Sequence, residues 1–98
     1  MNIVKTSEGA KLTLALEGRL DTTTAPQLEA EVRDALTGVN ELVLDFSQLE
    51  YLSSAGLRVI LAAQKLMNKQ GKMVIHHVNE IIMEVFEVTG FSDILTIE

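Results

Sequence analysis

The sequence predicts a single α/β domain, a mixed β-sheet with helices packed on it, in the order ββαβαβαβ. Three observations predict it. Leu12, Leu14 and Leu16 alternate with Thr13, Ala15 and Glu17, the period of a strand with one buried face. Two short apolar runs, at 42–46 and 73–75, flank a segment of helical spacing, which makes residues 41–77 a βαβ unit with parallel strands and a right-handed crossover. A chain of 98 residues buries roughly 65% of its unfolded surface, enough for one core.

The elements follow in order. Residues 3–6 and 11–18 read as a hairpin around a Ser7-Glu8-Gly9-Ala10 turn. The stretch from Thr22 to Gln27 has helix-start chemistry: a threonine N-cap, Pro26 in the first turn, and Gln27 three residues after Thr24 as in a capping box. Leu28, Val32, Ala35 and Leu36 recur at helical spacing and Gly38 punctuates the end, so the first helix spans about 25–37. Leu42, Val43, Leu44 and Phe46, interrupted only by Asp45, suit a strand over 41–47 covered on both faces, followed by a loop at 48–52. A second helix starts near Ser54 and carries Leu57, Ile60, Leu61 and Met67, with Gly71 at its C′ position. Met73, Val74 and Ile75 form another buried strand. Asn79 then caps a third helix with Ile81, Ile82, Val85 and Phe86 on one face, closed near Gly90, and residues 94–97 end the chain as a short strand.

Composition excludes several function classes. With 47% hydrophobic and 22% charged residues the chain is an ordinary globular domain. Its 14 acids against 8 bases, a net charge of −6, oppose attraction to nucleic acid or anionic lipid. No cysteine is present, so disulfides, thiolate nucleophiles and cysteine-based metal sites are excluded, which suits a reducing cytoplasm. The longest apolar run, Val59 to Ala63, is five residues against the roughly 18 of a membrane span, and the N-terminus has no signal-peptide pattern. Neither a membrane nor a secretory route is expected. Charge is nonetheless uneven: residues 51–78 hold four bases (Arg58, Lys65, Lys69, Lys72) and no acid, and residues 79–98 hold five acids and no base. Three of those bases complement the dipole of the second helix. Glu80, Glu84 and Glu87 share one face of the third, as a solvated face or an acidic docking surface.

One place gathers polar groups and backbone donors. Ser53 and Ser54 sit at a strand's C-terminal end and at the start of the second helix, where open sheets place their sites and where free N–H groups favour an anion. One serine can equally be an N-cap. Asp21 is a turn or capping residue, or part of the same site. A serine hydrolase fits poorly: Gly56 lies two places after Ser54, but Leu52 stands where a nucleophile elbow needs the other glycine. His76 and His77, adjacent on a strand, point to opposite faces and make no metal pair. No phosphate-binding glycine motif occurs, and four scattered aromatics offer no stacking platform. The residues thus leave no catalytic group, metal or cofactor expected.

Three ordered motifs, Gly18-Arg19-Leu20-Asp21-Thr22-Thr23-Thr24-Ala25-Pro26, Leu42-Val43-Leu44-Asp45-Phe46-Ser47 and Tyr51-Leu52-Ser53-Ser54-Ala55-Gly56-Leu57-Arg58-Val59-Ile60, resemble the STAS domain of bacterial anti-sigma-factor antagonists. The likeness spans residues 1–98. It implies a partner switch: the unmodified antagonist binds an anti-sigma factor that is also a serine kinase, phosphorylation breaks the complex, and a PP2C-like phosphatase resets it. By the motif match Ser54 is the phosphorylated residue, with Ser53 the fallback, and Asp21, Thr22, Thr23, Ser53, Ser54, Gly56 and Arg58 form the partner surface. Many family members read Asp-Ser-Ser-Gly or Asp-Ser-Thr-Gly there, whereas this chain has Ser53 for the aspartate and Ala55 for the last hydroxyl residue. The alternatives are an unphosphorylated interaction or scaffold module and a small-ligand or nucleotide sensor using the helix N-terminus.

Overall fold

A computed structural model describes residues 1–98. Strand β1 (Asn2–Glu8) turns through Gly9 and Ala10 into β2 (Lys11–Leu20), with Glu8 opposite Lys11. Gly9 has φ 63, as the first turn residue of a II′ hairpin requires. Helix α1 (Ala25–Ala35) leads to β3 (Glu41–Leu52), α2 (Ser54–Asn68), β4 (Lys72–His76) and α3 (Glu80–Thr89). The sheet order is β1-β2-β3-β4, antiparallel between β1 and β2 and parallel thereafter, so α1 and α2 each close a βαβ unit.

Several sequence expectations change. The residues expected as a loop at 48–52 continue β3, because two bulges opposite Ala15–Glu17 and Gly18–Arg19 let a 12-residue strand stay paired with a 10-residue one. The bulges hide the strand from period-2 reading: its buried side chains Phe46, Leu49 and Leu52 fall three apart. The final strand is reduced to one bridge between Ile75 and Ile97, since residues 91–93 are spent on a 3-10 turn and Ile94 faces solvent. The order is therefore ββαβαβα with a paired tail. Helix α1 stops at Ala35, and α2 is capped at Lys69, so Gly71 lies beyond the C′ position expected for it.

The two faces of β3 are covered differently. The main core of 23 buried residues joins Leu12, Leu14 and Leu16, Leu42, Leu44 and Phe46, and Met73 and Ile75 to the inner faces of all three helices. These strand residues share one face of the sheet by register. Val43 and Val74 lie on the opposite face, buried outside that cluster, in one rank with Thr13. The result is a two-layer α/β fold. Phe46 and Phe86, ring centroids 6.4 Å apart, fasten α3 to the sheet, while Asn79 caps α3 through the Ile82 N–H (2.8 Å) and donates to the Leu49 carbonyl (3.2 Å).

Candidate functional site

The parallel strands β2 and β3 end side by side, with Leu20 opposite Leu52 and the Ser53 N–H donating to the Leu20 carbonyl at 2.9 Å. The starts of α1 and α2 are thereby brought to one edge of the sheet.

Ser53 and Ser54 have different environments there. Ser53 is the N-cap of α2, in extended backbone, and its Oγ accepts the Gly56 N–H at 3.3 Å. Ser54 is the first helical residue; its side chain is exposed and makes no hydrogen bond within the chain. Ser53→Ala is expected to lower stability by about 1 kcal/mol through loss of the cap, and Ser54→Ala to change it by under about 0.5 kcal/mol. Urea denaturation of both variants checks this difference.

Gly56 is buried because α2 rests directly on the strand ends. A Cβ there would stand 2.6 Å from Leu20 Cγ and 2.9 Å from Leu52 Cδ1. Its role is to let the first turn of α2 approach the sheet, and it presents no side chain to a partner. Arg58, one turn after Ser54, is exposed and lines a shallow recess of about 240 Å³ with Thr22, Ala25, Pro26, Ala55 and Val59.

Asp21 builds the start of α1. Its Oδ1 accepts from the Thr23 N–H (3.0 Å), the Thr23 hydroxyl (2.7 Å) and the Thr24 N–H (3.1 Å). The Thr24 hydroxyl accepts from the Asp21 N–H and donates to the Arg19 carbonyl, both at 2.8 Å. The expected Thr24–Gln27 capping box is not formed: Thr24 has helical φ and ψ without a side-chain cap bond, and Gln27 donates to the Met1 carbonyl at 3.1 Å. Asp21, three residues earlier, takes over the capping. Thr22 and Thr23 are exposed beside it, with the Thr23 hydroxyl committed to Asp21.

Sequence reasoning assigned no separate role to Arg19 and Tyr51. They face each other across β2 and β3, with the guanidinium 4.2 Å above the Tyr51 ring and its Nε 3.8 Å from Asp21 Oδ2. The register that pairs them depends on the second bulge, which the sequence does not announce. The histidines are engaged elsewhere: His77, at φ 61, has Nδ1 2.9 Å from Asp45 Oδ1, and His76 Nε2 lies 3.5 Å from Glu98. Neither bonds Ser54, so no nucleophile–base pair is assembled.

Two carboxyls are held below their ordinary value of 3.8. For Asp21 the Thr23 hydroxyl is the main cause; burial opposes it, and the Thr24 and Thr23 backbone N–H groups add to it. For Asp45 burial pushes up, but the Ser47 N–H, His77 and the Ser47 side chain together outweigh it. A depressed folded-state pKa contributes stability that is present above the unfolded carboxylate value and lost as pH falls through the folded one. The melting temperature is therefore expected to drop below about pH 4, with a shallower acid limb in an Asp21→Asn/Asp45→Asn double variant. Thermal melts across the acid range test it; an unchanged acid limb in that variant would contradict it.

No helix is long and apolar enough to cross a membrane. The family described as "Mlab, STAS domain" matches residues 3–96. BtrV of Bordetella bronchiseptica, provisionally named an anti-sigma factor antagonist, is 40% identical over 88 residues, covering 88% of this chain and 76% of that protein. The anti-sigma-B factor antagonist of Listeria monocytogenes is 31% identical over 104 residues, covering 100% of this chain and 90% of that one. SpoIIAA of Bacillus in its phosphorylated form superposes with a TM-score of 0.78 at 17% identity, over 99% of this chain and 91% of that one. The family match spans the residues that build the α1–α2 edge, and the chain belongs to the STAS family of anti-sigma-factor antagonists.

Proposed function

We propose that residues 1–98 act as one STAS domain that antagonises an anti-sigma factor by binding it, and that the state of Ser54 decides whether it binds. The anti-sigma factor is a serine kinase that modifies Ser54 and so ends its own complex, and a PP2C-like phosphatase returns the serine. The relatives are regulators rather than known enzymes, and the role assigned here needs no catalytic group in this chain.

One observation carries the reading: of two adjacent serines, Ser53 is occupied as a helix cap while the Ser54 hydroxyl is free and exposed at the same edge as Asp21, Thr22, Thr23 and Arg58. A kinase can reach Ser54 without disturbing a bond the fold uses. Ser53, the fallback, would have to surrender its cap first. A phosphoserine adds about −1.5 to −2 charges. At the first turn of α2 that charge meets free backbone N–H groups and the positive dipole end, so the modified chain stays folded.

Incubation with ATP and the serine kinase that co-purifies with the unmodified chain, followed by intact-mass measurement, tests the assignment. The expected result is a gain of one phosphate that disappears in Ser54→Ala and persists in Ser53→Ala. A phosphate mapped to Ser53 would overturn the residue assignment. An unchanged mass beside a tight partner complex would identify a constitutive scaffold instead.

A further inference from the structure

The outer side of α3 carries a second surface, and the case for it does not depend on Ser54. The helix buries Ile82 and Phe86 in the core, yet Ile81 and Val88 stand 71% and 80% exposed. With Val85 between them at i, i+4 and i+7 they form one apolar ridge. Ile81, Glu84, Val85, Val88 and Thr89 lie together on this open outer face.

Acids border this ridge without any cation to balance them. Glu80, Glu84 and Glu87 follow one another at i+4 and i+3, a spacing at which like charges repel. None of the chain's ion pairs involves any of the three. Glu87 also sits near the C-terminal end of the helix, where the dipole disfavours negative charge and where α3 has no base, unlike α1 with Arg33 and α2 with Lys65. Exposed apolar area and unpaired like charges each cost the isolated domain stability. A single kind of occupant relieves both.

We propose that α3 is a docking face for a cationic amphipathic helix of a partner protein. Leucine or isoleucine side chains of that helix pack against the ridge of Ile81, Val85 and Val88, and its lysines or arginines pair with Glu80, Glu84 and Glu87. The occupant is a helix because the ridge has helical spacing and accepts ridges-into-grooves packing, whereas an extended peptide needs a sheet edge. It is cationic because residues 79–98 hold five acids and no base.

The full chain, labelled with 15N, is titrated with a synthetic leucine–lysine helix of about 18 residues. Two controls accompany it: a version with alanine for leucine at equal charge, and a version with glutamate for lysine at equal apolarity. The leucine–lysine peptide is expected to perturb residues 80–89, to bind about tenfold tighter than the alanine version, and to outbind the glutamate version by more. Ile81→Asp and Glu84→Lys, both surface changes, are each expected to weaken it about fivefold without lowering the melting temperature. Equal binding of the alanine version reduces the effect to bulk charge and overturns the proposal. Perturbations centred outside α3, or self-association of the free chain through residues 80–89 that excludes the peptide, overturn it equally.

Discussion

Gly71→Ala is expected to lower the melting temperature by on the order of 15 °C, since an added Cβ meets backbone more closely there than at any other glycine of the chain. The cause is close approach rather than backbone freedom. A Cβ at Gly71 would fall inside the contact radius of the Asn40 carbonyl oxygen and beside the Asn40 C and Cα. That carbonyl accepts the Lys72 N–H at 3.0 Å, so it fixes the start of β4 against β3. Gln70 reinforces the crossing by donating to the Leu36 and Val39 carbonyls at 2.7 and 2.6 Å. A side chain in the way could rotate aside; a hydrogen-bonded peptide unit cannot. Overpacking of this kind costs about 3 kcal/mol, and each kcal/mol moves the midpoint of a domain this size by roughly 4–8 °C. Differential scanning calorimetry measures it, and a shift under about 3 °C would show that the two connections separate freely.

Phosphoserine at position 54 is expected to weaken the anti-sigma-factor complex by about 100-fold or more while leaving the fold intact. A unit-charge contact with a partner carboxylate at about 6 Å is worth roughly 2.8 kcal/mol at an effective dielectric of about 20. Two such contacts reach the roughly 5.5 kcal/mol that takes a complex from about 99% to 1% occupancy. The exposed position of Ser54 makes this charge available to a partner, and the α2 N-terminus accepts it locally. Calorimetric titration of chains with serine or phosphoserine at position 54, beside their thermal melts, separates the two effects. Loss of binding accompanied by a fall of many degrees in melting temperature would mean that unfolding, not interface repulsion, breaks the complex.

Much of this architecture is legible in the residues themselves. The Leu12-Leu14-Leu16 alternation and the Asn79 cap are local signals realised as read, and of the helical face read at Leu57, Ile60, Leu61 and Met67 all but the half-buried Leu61 lie in the core. What escapes reading is set by pairing between distant segments. The two bulges that extend β3 depend on its register with β2, and they scatter Phe46, Leu49 and Leu52 off any single period. The tail around Ile97 makes one bridge because of how Phe91–Asp93 turn. Val43 and Val74 are buried as read, yet they lie outside the main core, on the sheet face opposite Leu42, Leu44, Met73 and Ile75.

The candidate site divides in the same way. The position of Ser53 and Ser54 at a strand end and helix start is legible from pattern alone, but the difference between their environments is not. A cap and a free hydroxyl are the same residue type one position apart, and only backbone geometry tells them apart. Asp21 likewise reads as either turn or site residue. Its three accepted hydrogen bonds show it holding the α1 start beside Ser54's edge, with Arg19 and Tyr51 stacked next to it.

Native mass spectrometry of the anti-sigma-factor complex, recorded before and after ATP is added, shows whether phosphorylation of Ser54 releases the partner. The intact complex is expected to give way to free chain carrying one phosphate on Ser54, and the Ser54→Ala complex to survive the same treatment. A complex that persists with Ser54 phosphorylated, or one that dissociates equally in Ser54→Ala, would contradict it.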